Sequence, residues 1–170
     1  MSFVKNAGEV FLWGAILLVG VIIGASVYQR ISLIPYWGGD LPGSVVTYFQ
    51  GTTAAASIGR FWTTILPPTA IFVLVALLAN LPDRGRRKWV IIAAILFIAM
   101  LIWTAIYFVP SGVIPLMERA AAGLSADEIT QRAKAWIFWD WFRVAGTIGA
   151  ELSLLKALTY RPGEIKPASS

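Results

Sequence analysis

Four long apolar stretches divide the chain. The first covers residues 7–28 with Glu9 as its single charge, and the second covers 61–81 with Pro67 and Pro68 early in it. The third, 89–109, has no charge, whereas the fourth, 136–158, carries Asp140, Arg143, Glu151 and Lys156. About 20 apolar residues in a helix cross ~30 Å of hydrocarbon, so each stretch predicts a spanning helix. The expected fold is an all-α integral membrane protein: one membrane domain, residues 1–170, built as a four-transmembrane-helix bundle. Lys5 followed by the apolar run and Gly24-Ala25-Ser26 has the layout of a signal peptide. We expect the segment to be retained as the first transmembrane helix.

The connections predict the topology. Residues 82–88 hold Arg84, Arg86, Arg87 and Lys88, and the tail adds Arg161 and Lys166 beside Lys156. The other two connections are longer and closer to balance. Residues 31–60 carry Asp40 and Arg60; residues 110–135 carry Glu118, Asp127 and Glu128 against Arg119, Arg132 and Lys134. Positive charge collects on the cytoplasmic side of short loops. The 82–88 loop and both termini are therefore expected in the cytoplasm, in a bacterial inner (cytoplasmic) membrane.

Both outer connections have local signals. Residues 34–43 are dense in Pro and Gly turn signals, and Val45 to Phe49 fit either a short strand or a helix. Tyr36, Trp37, Tyr48 and Phe49 suit the headgroup level. Val109-Pro110-Ser111-Gly112 is expected to end the third helix. Ser125-Ala126-Asp127-Glu128 matches a capping box, predicting a helix that starts outside the bilayer and continues into the fourth span.

Composition narrows the chemistry. Of 170 residues 58% are hydrophobic and 14% charged, against roughly 25% charged in soluble domains. Cysteine and histidine are both absent. That excludes disulfides, thiol redox chemistry, imidazole- or thiolate-bound metals, and Ser-His-Asp or Cys-His catalysis. No metal and no resident cofactor is expected. The net charge of +5 reflects loop charge, so the expected surroundings are the lipid bilayer and not nucleic acid.

The fourth stretch carries a pattern. Trp136, Asp140, Arg143, Thr147 and Glu151 fall within about 80° of one helix face. Ionisable groups in a membrane face the bundle interior or a wet cavity. Two readings fit. In one, Asp140 and Arg143 form an i,i+3 ion pair, and Glu151 pairs with or reaches toward the cytoplasmic side. In the other, an outward-opening polar pocket holds a ligand headgroup, with Asp140 and Arg143 at its floor and tryptophans at its rim. Tyr28, Gln29 and Tyr107 then lie nearest by depth, with Tyr28 and Tyr107 as candidate proton donors. A proton relay has only Thr147 between Arg143 and Glu151. Of the three tryptophans at 136, 139 and 141, Trp136 alone shares the Asp140 face.

Three motifs suggest a family. They are Gly24-Ala25-Ser26-Val27-Tyr28 with Pro35-Tyr36-Trp37, then Thr104-Ala105-Ile106-Tyr107-Phe108-Val109-Pro110, and Trp136 followed by Trp139-Asp140-Trp141-Phe142-Arg143. Together they resemble the small four-helix membrane proteins grouped with anthrone oxygenases, under the domain of unknown function DUF1772. The resemblance implies a Trp…Asn…Arg pattern on the last helix, with Asp140 standing where an amide is usual. It also implies, for some members, oxygenation of polyketide anthrones. Two functions follow as expectations. One is a structural or accessory component of a larger membrane complex or homo-oligomer; Gly14, Gly20, Gly24 and Ala25 would permit close helix packing. The other is a cofactor-free or cofactor-borrowing oxidoreductase acting on a lipophilic aromatic or quinone-like small molecule at the outer end of the bundle. A transporter is disfavoured by the absence of a clear internal repeat.

Overall fold

The computed structural model describes residues 2–50, 54–119 and 123–160, with side chains described except at 2–6, 50, 54–56 and 118–119. Arg161 and Lys166, and the side chains of Lys5, Glu118 and Arg119, lie outside that description. All regular structure among the described residues is helical. Helix α1 (Ser2–Tyr28) passes through a π-helical segment (Gln29–Leu33) into α2 (Ile34–Gly38). After α3 (Gly43–Gln50) come α4 (Ala54–Asn80) and α5 (Arg84–Trp103). A second π-helical segment (Thr104–Val113) joins α5 to α6 (Ile114–Arg119), and α7 (Ala126–Leu158) completes the chain. Three stretches, Ala7–Gly38, Ser57–Asn80 and Arg84–Met117, are long and apolar enough to cross a membrane. Helix α7 has the length but carries the charges.

The two predicted outer loops are thus largely helix. The first helix continues past Tyr28 and stops at the Gly38-Gly39 pair. Helix α3 resolves the strand-or-helix alternative: Val45, Tyr48 and Phe49 are all buried, and i, i+3, i+4 spacing puts them on one helical face. The Ser44 hydroxyl donates to the carbonyls of Trp37 (2.6 Å) and Asp40 (2.8 Å), fastening the turn between α2 and α3. The third helix does not end at Pro110. A proline ring in an α-helix collides with the carbonyl four residues back. Here Pro110 sits inside π-helical winding, whose wider i→i+5 turn moves that carbonyl off the ring. Nor do Pro67 and Pro68 interrupt α4, which runs through them.

The capping box forms as predicted. Ser125 accepts from the Glu128 N–H at 3.3 Å, and the Glu128 carboxylate accepts from the Ser125 N–H and hydroxyl, each at 2.9 Å. These bonds, the backbone one first, hold the Glu128 carboxyl below its ordinary pKa. A lowered carboxylate pKa stabilises the fold above the unfolded-state value, and the contribution is lost as pH falls through the folded value. Amide exchange in the first turn of α7, corrected for intrinsic rate, should therefore accelerate in acid below about pH 4. Glu128→Gln, which keeps the shape and removes the titrating group, should abolish this pH dependence; an unchanged acid response in that variant would count against the cap.

Four long helices pack in a ring: α1 against α4, α4 against α5, α5 against α7, and α7 back against α1. Their shared core includes Leu12, Val19, Ile22, Val73, Val90, Phe97 and Leu154. At one end, a second core joins Ile34 and Trp37 of α2 to Val45 and Phe49 of α3, Phe108, Leu116 of α6, and Ile129 and Trp136 of α7. We call this the aromatic end. The opposite, basic end is tied by polar contacts. Asn80 donates to the Gly8 carbonyl at 3.1 Å, and buried Arg86 donates to the Tyr160 carbonyl at 2.8 Å and to Asn80 Oδ1 at 3.5 Å. Asp83 caps α5 by accepting from the N–H groups of Gly85 and Arg86. Arg86 therefore does more than add loop charge: it joins the start of α5 to the ends of α4 and α7.

Candidate functional site

The stripe on α7 faces inward at its polar positions. Trp136, Asp140, Arg143 and Thr147 are buried, and Asp140 is fully so. Asp140 Oδ1 lies 3.1 Å from Arg143 Nη2, making the predicted i,i+3 pair. Its Oδ2 lies 3.2 Å from Nε of Arg30, a residue the sequence reading passed over. Both are ion pairs by distance, with angles outside hydrogen-bond geometry. Arg30 comes from the π-helical segment between α1 and α2, both of which pack against α7. Once the first helix continues past Tyr28, Arg30 falls within its apolar run instead of in a solvated loop. The signal available was a lone arginine before the first helix-breaking pair.

Aromatic rings flank both guanidinium groups. The Arg30 Cζ lies 4.1 Å from the centroid of the Trp141 ring, and that of Arg143 lies 4.7 Å from Trp62 and 5.1 Å from Phe108. Such cation–π contacts are worth more in a desolvated site than in water. Arg30 Nη2 also donates to the Ile137 carbonyl at 2.6 Å, using a second acceptor on α7.

The remaining predicted residues separate. Thr147 donates its hydroxyl to the Arg143 carbonyl at 2.8 Å, within its own helix. Glu151 is half-buried near Gly20 of α1, and its Oε2 has no hydrogen-bond partner among the described residues. Among the described residues Glu151 has no ion pair, and no polar side chain but that of Thr147 stands between it and Arg143 on that face. Gln29 is buried but makes no recorded contact with Asp140. Tyr28 is 60% exposed, on the outside of the bundle: its place in α1 aims it away from the α7 stripe.

Tyr107 contributes to a different feature. A cavity of about 250 Å³ at the aromatic end is lined by Tyr107, Phe108, Ser111, Gly112, Gln131, Arg132, Ala135, Trp136 and Trp139. Of the expected pocket residues Tyr107 and Trp136 line it, and Asp140 and Arg143 do not. Phe108 links the cavity to the ion cluster, since it lines the cavity and its ring centroid lies 5.1 Å from the Arg143 guanidinium carbon. Trp136 packs against Trp37 at 5.1 Å and Phe108 at 5.8 Å between ring centroids, and its buried Nε1 has no acceptor among the described residues.

No protein-family model, curated protein or solved structure matches the chain.

Proposed function

We propose that this chain is a small integral membrane protein whose four long helices all cross the bilayer, with both termini and the basic end in the cytoplasm. Its role is that of a structural or accessory component of a membrane assembly in a bacterial cytoplasmic membrane. One observation carries this reading: both Asp140 oxygens are engaged by guanidinium groups from two different helices. The buried acid of α7 is thereby committed to joining α7 to the end of α1. Thr147 is bonded within its helix, so the face that holds the charges presents no unengaged acid or hydroxyl near them. The apolar exterior supports the membrane setting: Leu17, Leu78, Ile95 and Leu152 are each more than 60% exposed, as lipid-facing side chains would be.

Topology is testable without background labelling, because the chain has no cysteine. Asp40 and Arg87 are both exposed. In intact cells an impermeant maleimide should label Asp40→Cys, and should label Arg87→Cys only after permeabilisation. Labelling of both in intact cells would sink the arrangement. Mass spectrometry of the purified assembly tests the role: a stoichiometric protein partner is the expected result.

A second reading rests on the cavity. Its aromatic lining and the unpartnered Trp136 N–H suit a small lipophilic aromatic or quinone-like molecule, in line with the resemblance to anthrone oxygenase-like proteins. Chemistry on it would need Tyr107 as proton donor and a borrowed oxidant. An aromatic compound co-purifying with the wild type and lost in Trp136→Leu would favour this reading over the first.

A further inference from the structure

The ion cluster is not neutral. Arg30 and Arg143 each carry a positive charge and Asp140 a single negative one, with side-chain exposures of 12%, 9% and 0%. Among the described side chains no other acid pairs with either arginine. Glu151 is two turns away along α7, about 12 Å by helical rise, while Asp40 and Glu9 are exposed, Glu9 near the start of α1. From Arg84 through Met117, α5 and its continuation carry no acid. A net positive charge held in low dielectric is costly unless it is paired.

The unbalanced charge is open on one side. Arg30 retains some exposure and stacks on Trp141, which is 58% exposed. Phe138 (58%) and Phe142 (56%) flank Trp141 on the same face of α7, at i−3 and i+1. Ile31 (72%) and Val27 (41%) lie exposed on the neighbouring helix. About 26 Å of helical rise separates Trp141 from Leu158, close to the ~30 Å thickness of the hydrocarbon. The open side of Arg30 therefore meets the headgroup boundary, with apolar surface below it.

We propose that the seam between α1 and α7 at Arg30 and Trp141 is a binding site for a net-anionic phospholipid. The lipid phosphate sits against the Arg30 guanidinium and neutralises the cluster, and an acyl chain lies on Phe138, Trp141 and Phe142. The proposal rests on the membrane reading above, but it is tested by lipid selectivity in detergent, which does not depend on orientation.

The experiment is melting of the purified, delipidated protein with phosphatidylglycerol, phosphatidylcholine or inorganic phosphate added, alongside native mass spectrometry. Phosphatidylglycerol should stay bound and raise the melting temperature by about 5–10 °C at saturation, while the other two should shift it little. Arg30→Gln leaves the neutral Asp140–Arg143 pair, so it should fold and show equal melting shifts with phosphatidylglycerol and phosphatidylcholine, measured against its own lipid-free melting temperature. Should that variant fail to fold, Trp141→Leu keeps every charge and should weaken phosphatidylglycerol retention several-fold. Equal shifts with both lipids, or a preference surviving in the substituted protein, would overturn the proposal. A shift with inorganic phosphate as large as with lipid would overturn the lipid as its source.

Discussion

Asp140→Ala is expected to be the most damaging single change in the chain. It leaves two buried guanidinium groups close together with no counter-ion, and removing one partner from a buried ion pair costs about 3–5 kcal/mol. For a chain of this size that corresponds to a melting temperature lower by on the order of 10 °C, readable in detergent from tryptophan fluorescence. Asp140→Asn is the sharper variant, because it keeps the shape and removes only the charge. It also installs the amide that the family resemblance leads one to expect, and it should still be destabilising here because Arg30 supplies a second cation. Adding Arg30→Gln to Asp140→Asn should recover part of the loss by relieving repulsion between the arginines. An Asp140→Asn protein that melts like the wild type would show that the cluster is hydrated and adds little.

Trp37→Ala should produce a comparable loss confined to one end. Trp37 is 1% exposed and lies between Phe49 of α3 and Trp136 of α7, with ring centroids 6.1 and 5.1 Å away. Truncating a buried Trp removes its transfer free energy and leaves a cavity, costing about 3–5 kcal/mol. Because the two cores are separate clusters, the damage should stay at the aromatic end. Hydrogen exchange should accelerate through 34–49 while amides around Ala93 and Phe97 keep their protection. Uniform loss of protection along α5 would mean that the two cores unfold as one.

How much of this was readable in the sequence depended on whether the deciding signal was local. Ser125 and Glu128 satisfy each other across three residues, so the start of α7 was fully specified there. The inward face of α7 was equally plain, because Asp140 and Arg143 cannot sit in lipid and their spacing puts them on one face. Arg30 was missed for a physical reason. Its role exists only if α1 continues past Tyr28, and that depends on packing against α3 and α7 that lies far away in sequence. Pro110 misled in the same way, since proline ends an α-helix but fits a wider winding. Tyr107 belongs to the cavity, and no sequence spacing shows that Phe108 lies between that cavity and Arg143.

The two π-helical segments have a consequence for how this chain can change. A turn closed from i to i+5 holds one residue more than α-helical closure allows. Deleting one residue within 104–113 would let that stretch relax to α-helix. Everything beyond it would then be rotated by about 100°, turning Leu116 away from the contacts it now makes with the aromatic core. The same holds for 29–33 and the inward setting of Ile34 and Trp37. Each segment acts as a phase slip between two registers: the apolar stripe of the long bundle below and the aromatic cap above. Substitutions can retune one register while the other keeps its own angular frame. Single-residue insertions and deletions, by contrast, should be tolerated at Gly123, which precedes the Ser125 cap with open space around it, and rejected within these two segments, a contrast that a deletion scan of expression level would expose.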